Sequence, residues 1–129
     1  MLRDTASGLS SAEYGVDDER RAYHALRAVL HALRDRLLVE EAADLAAQMP
    51  MLIRGLYYDS WKPAATPRPQ RSRGQFLEAV AEGLPEPDLD PERAARAVFS
   101  LLQQRVTDGE IADVKAMLPD DLCSLWPEP

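Results

Sequence analysis

A single cysteine, Cys123, stands among the 129 residues, which excludes an intrachain disulfide and any multi-cysteine metal cluster. Glycine is scarce, with six residues against ten prolines, and the chain carries no glycine-rich loop of the kind that cradles phosphate. Basic residues are outnumbered, 15 Lys and Arg to 22 Asp and Glu. The resulting charge of −7 argues against a nucleic-acid-coating or anionic-membrane surface, because either needs a dense basic face. No apolar run approaches the ~18 residues of a membrane span, and the opening MLRDTASGLSSAEYG lacks the apolar stretch of a secretory signal. The expectation is a cytoplasmic protein with no membrane and no nucleic-acid partner. What is present, 46% hydrophobic and 29% charged residues, suffices for one domain with a buried core.

Residues 1–16 have no strong periodicity and read as a poorly structured lead-in; Ser10 and Glu13 have capping-box spacing, but Gly15 follows too soon for a helix of any length. The spacing predicts a helix from Asp17 or Asp18 to about Leu37, with Leu26, Val29, Leu30, Leu33 and Leu37 on one apolar stripe. A second helix is expected over about 39–48, burying Ala42, Leu45 and Met49, and a third from Pro50 to about Tyr58. Residues 60–73, with three prolines and no helical period, read as a linker. Ser72 and Gln75 form a capping-box signature before Phe76, Leu77, Val80 and Leu84. Asp90 with Pro91 opens a helix burying Val98, Phe99, Leu102 and Val106; Thr107 with Glu110 opens the next, burying Ile111, Val114 and Leu118; Pro119 starts a last short one. No segment alternates as a strand does, so the class is all-α.

Sliding the chain against itself by 69 residues aligns Ala25–Tyr57 with Ala94–Trp126 without a gap. Ala25 meets Ala94, Arg27 meets Arg96, Val29 meets Val98, Leu33 meets Leu102, Glu41 meets Glu110 and Pro50 meets Pro119. Core positions pair conservatively, as in Leu30 with Phe99, Met49 with Leu118 and Tyr57 with Trp126. The economical reading is a duplicated three-helix unit: repeat one over 17–59, the linker over 60–73, and repeat two with a preceding helix over 74–126. Each copy covers the other's apolar face, giving one compact helical domain. The counterpart of the preceding helix would lie in residues 5–15, where the pattern is weak.

The stretches AYHALRAVLHALRDRLLVEEAADLAAQMPMLIRGLYYDSW and ERAARAVFSLLQQRVTDGEIADVKAMLPDDLCSLW resemble the two halves of the bacterial domain-of-unknown-function family 2267. The resemblance covers about residues 17–126. It implies a compact helical fold in prokaryotes, no assigned catalytic activity and no catalytic residues to carry over.

Candidate chemistry is sparse. His24 and His31 lie seven residues apart on one helix, about 10 Å along its axis, too far to share one ion without a second helix. Arg20, His24, Arg27, His31 and Arg34 form a basic stripe that reads first as a solvated face, offset by Asp17, Asp18, Glu19 and Asp35. Arg36 with Asp44, and their counterparts Arg105 with Asp113, are expected to be structural ion pairs across helical hairpins, with Glu41 and Glu110 nearer still. In the linker, Lys62, Arg68, Arg71 and Arg73 have no acidic neighbour and are expected to dock within the molecule or stay solvated. Cys123 sits beside Asp120 and Asp121, which raise rather than activate a thiol.

The segment Met51, Leu52, Leu56, Tyr57, Tyr58 and Trp61 is apolar nearly all round its helix. It reads either as core or as an interface, since Tyr, Trp and Met favour interface centres. The leading expectation is a protein-interaction or regulatory module that self-associates as a homodimer through this segment, with no cofactor, no metal and no catalytic residue. The alternative is a small-ligand-binding or enzymatic domain with a pocket between the repeats, lined by Arg27, Arg54, Tyr57 and Tyr58.

Overall fold

The computed structural model describes residues 19–128. The expected lead-in, its Ser10–Glu13 capping pair and the Asp17 or Asp18 cap lie outside the described residues. The described chain is all helical: α1 (Glu19–Arg34), α2 (Val39–Ala47), α3 (Met51–Tyr58), a 3-10 turn at Pro63–Ala65, α4 (Arg73–Glu82), α5 (Pro91–Arg105), α6 (Asp108–Ala116) and α7 (Asp120–Cys123). No described helix is long and apolar enough to cross a membrane.

Local chemistry sets most boundaries. Ser72 accepts from the Gln75 backbone N–H at 3.1 Å while the Gln75 side chain receives the Ser72 N–H, so α4 opens on a complete capping box. Asp90 caps α5 with Pro91 as its first residue, and Thr107 caps α6. The expected first helix is shorter at its C-terminal end than Leu37, because the chain turns over Asp35–Leu37 before Leu38 leads into α2. The helices α2 at 39–47 and α6 at 108–116 are set 69 residues apart, the same offset as the sequence match.

The centre of the molecule is α1. It packs against α3, α4 and α5, while α4 also meets α5 and α7, and α2 lies on α6. Being covered from three sides, α1 buries more than one stripe: Ala25, Leu26, Ala28, Val29, Leu30, Ala32 and Leu33 all face inward. Its alanines let neighbours approach closely. At the end of α4, a Cβ on Gly83 would lie 3.0 Å from the Ala28 Cβ, so this crossing requires glycine or a shift of the helices. An aromatic column fills the second half: Phe99 stacks on Trp126 with centroids 4.2 Å apart and planes 7° apart, and Phe76 lies 5.7 Å from Phe99.

The segment 60–73 is not a free spacer. The Arg68 backbone N–H donates to the Asp35 carbonyl at 2.8 Å, and the Arg36 guanidinium donates to the Gln70 carbonyl at 2.9 Å, fastening it to the end of α1. Arg73 pairs with Glu92 at 2.7 Å.

Candidate functional site

The six residues expected to form one interface divide in three. Leu56 and Tyr57 are core; Tyr57 is fully buried, and its hydroxyl donates to the Ala42 carbonyl at 2.9 Å. Burial, chiefly, holds that phenol far above its usual range. Tyr58 and Trp61 are half-buried and stack with centroids 5.2 Å apart. Met51 and Leu52 point outward, 81% and 62% exposed. The helical period sets Met51 opposite the buried side of Ile53, Leu56 and Tyr57, while Leu52 flanks that side in the exposed first turn.

The pocket expected from Arg27, Arg54, Tyr57 and Tyr58 does not form. Arg54 donates to the Ala46, Ala47 and Met49 carbonyls at 3.0–3.3 Å, closing the C-terminal end of α2, where carbonyl groups lack helical partners. Arg27 pairs with Asp59 at 3.0 Å, and Tyr57 is sealed inside.

The basic stripe of α1 is solvated only in part: Arg20 is exposed, while the residues toward its C-terminal end are engaged. Arg34, 3% exposed, donates to the Tyr57 and Asp59 carbonyls at 2.7 and 2.8 Å and to the Asp35 carboxylate at 2.9 Å. His24 binds Glu86 at 2.8 Å, and His31 donates from Nε2 to the Leu56 carbonyl at 2.7 Å. For Arg34 and His31 the sequence carries little mark of this, because the acceptors at Leu56, Tyr57 and Asp59 are main-chain carbonyls of a distant helix end.

The ion pairs expected across the hairpins are likewise absent: among the described residues none joins Arg36 to Asp44 or Arg105 to Asp113. Arg36 is buried, donates to the Ala32 and Gln70 carbonyls, and rests 5.7 Å from the Phe76 ring centroid. It sits in the turn after α1, where unpaired carbonyls are closer than any α2 carboxylate. Glu41 and Glu110, whose sequence neighbours suggested arginine partners, face one another instead.

His31 gives a pH prediction. Burial lowers its pKa, helped by Arg34 and Arg27 and opposed by the Leu56 carbonyl and Asp35. The unfolded chain therefore takes up the proton first, and this contribution to stability is lost as pH falls from about 6.5 through the lower folded value. Thermal melts from pH 7.5 to 5 should fall more steeply in the native chain than in His31→Gln; parallel curves would refute it.

Two concavities bear on these residues. A polar one of about 390 Å³ lies between α1, α4 and the 60–73 segment, with Arg27, His31, Asp35, Arg36, Glu78 and Glu82 on its walls. Its charges are largely engaged already: Arg27 by Asp59, Asp35 by Arg34 and Arg68, Arg36 by carbonyls. The other, about 270 Å³, is apolar and lies between α1, α3 and α5, walled by Leu26, Leu30, Met49, Ile53, Leu102 and Val106. Pro50 and Ile53 both line it, and the outward pair Met51–Leu52 lies between them in the chain. Sequence reasoning assigned these wall residues to core; helical period alone cannot distinguish a filled contact from a cleft. Nucleophile chemistry finds little support: the Cys123 thiol donates to the Lys115 carbonyl at 3.3 Å, and burial first, then Asp120 and Asp121, raises its pKa against the pull of Lys115.

Fold and site together define a small all-helical domain with an apolar cleft beside an exposed Met–Leu pair. Residues 10–125 match the family described as "uncharacterized conserved protein (DUF2267)", and the chain belongs to that family. Among curated proteins, none matches it.

Proposed function

We propose that this protein is a cytoplasmic protein-interaction module that self-associates, with the first turn of α3 of one copy seated against the apolar cleft of another. The observation that carries this is the exposure of Met51 and Leu52, which stand in the chain between Pro50 and Ile53, two of the residues lining a cleft walled also by Leu26, Leu30 and Leu102. A surface carrying both a protruding apolar pair and an apolar recess is complementary to itself, the condition for a two-fold dimer. The interface is narrower than the segment Met51–Trp61, since Leu56 and Tyr57 already serve the core. We read the chain as a duplicated unit, supported by the 69-residue sequence match and the matched placement of α2 and α6. The cleft then lies between the two copies.

Light scattering at two concentrations tests the proposal. The native chain should show twice the monomer mass at the higher concentration. Met51→Asp with Leu52→Asp should return it to monomer with unchanged helicity. Burying each such side chain is worth about 1.5–3 kcal/mol, so the dimer dissociation constant should rise by at least tenfold per position. A native monomer at both concentrations would overturn self-association. A second reading, a small apolar ligand in the same cleft, is favoured by walls drawn from both halves, and predicts a ligand-dependent rise in melting temperature.

A further inference from the structure

A different feature lies where α2 meets α6. Glu41 and Glu110 are 7% and 9% exposed, and Asp113 stands beside them at the surface; one carboxylate oxygen from each of the three lies within 4.8 Å of the others. The two helices present the same spacing, Glu41-x-x-Asp44 and Glu110-x-x-Asp113. Buried carboxylates are ordinarily paired with a cation or held by donors. Here the Oε2 atoms of both Glu41 and Glu110 are enclosed and meet no hydrogen-bond donor.

We propose that Glu41, Glu110 and Asp113 form a binding site for a hard divalent cation, with Asp44 adding charge at its edge.

The dimensions suit such an ion. Oxygen ligands stand 2.0–2.1 Å from Mg²⁺ and 2.3–2.6 Å from Ca²⁺, so ligands on opposite sides of one ion are roughly 4–5 Å apart. A proton shared between the two glutamates joins only one oxygen of each and leaves Asp113 outside the bond. A cation engages several carboxylate oxygens at once, and an all-oxygen set of this kind suits Mg²⁺, Ca²⁺ or Mn²⁺. Asp113, exposed, supplies the open side through which the ion enters.

The test uses the full chain, stripped with chelator, at pH 7.5 and constant ionic strength. MgCl₂, CaCl₂ and MnCl₂ are titrated separately while the melting temperature is followed, and Mn²⁺ binding is read from loss of the free ion's paramagnetic resonance signal. At least one ion should raise the melting temperature saturably. Asp113→Asn should weaken the apparent affinity at least tenfold, and Glu110→Gln should abolish the effect. Asp113 is exposed, so Asp113→Asn decides the matter even if Glu110→Gln misfolds. No rise with any of the three ions would overturn the site and leave a shared proton between the glutamates. An equal rise in Asp113→Asn and in the native chain would overturn it as well, assigning the effect to the acidic surface at large.

Discussion

Arg34→Ala should cost about 3–5 kcal/mol of folding stability, the loss expected when one member of a buried, hydrogen-bonded charge pair is removed. Three partners lose their donor at once: the Asp35 carboxylate and the Tyr57 and Asp59 carbonyls. Those carbonyls belong to the end of α3, where no helical N–H reaches them, and burial keeps water from replacing the guanidinium. Arg34→Lys should recover only part of the loss, since an ammonium cannot present the planar fork that spans carbonyl and carboxylate together. Urea denaturation followed by circular dichroism checks both. A loss below about 1 kcal/mol for Arg34→Ala would mean that the guanidinium is solvated and that the end of α3 is held by other groups.

Phe99→Ala should be comparably damaging, about 3–5 kcal/mol. Phe99 is fully buried between Trp126 and Phe76, so truncation leaves a void bounded by two rings that cannot both collapse into it. The stacked arrangement with Trp126 adds about 0.5–1.5 kcal/mol beyond the area buried. Phe99→Leu, which installs the residue found at the matching position Leu30, should cost much less. In a Trp61→Phe background the fluorescence of Trp126 provides a local readout: its emission should shift to the red in Phe99→Ala before global unfolding. An unshifted spectrum with unchanged stability would contradict the packing described.

What could be read in the sequence was what local chemistry writes there. Ser72 with Gln75, Asp90 with Pro91, and Thr107 mark helix starts because the capping groups are neighbours in the chain. Leu26, Val29, Leu30 and Leu33 mark a buried face by their period. The arginines were misread for the complementary reason. Arg34, Arg36 and Arg54 bond backbone carbonyls, and every residue has a carbonyl, so no residue type announces the partner. Carboxylates close in sequence therefore looked like the natural partners of Arg36 and Arg105. The helix of Met51–Tyr58 was legible as apolar but not as divided, because Leu52 and Leu56 lie four residues apart on nearly one face and differ in which turn of α3 the rest of the molecule covers. The carboxyl group of Glu41 meets that of Glu110 across 69 positions, a meeting visible only once α2 lies on α6.

The central position of α1 also has a consequence in time. The helix is complete at residue 34, but α5, one of its principal covers, ends at residue 105. At synthesis rates of roughly 5–20 residues per second, the intervening chain takes about 4–14 s to appear. During that interval α3 and then α4 can cover α1, but the side that α5 covers waits on a contact made late and at long sequence separation. The core around α1 is therefore closed last by its most distant part, when Phe99 and Leu102 arrive.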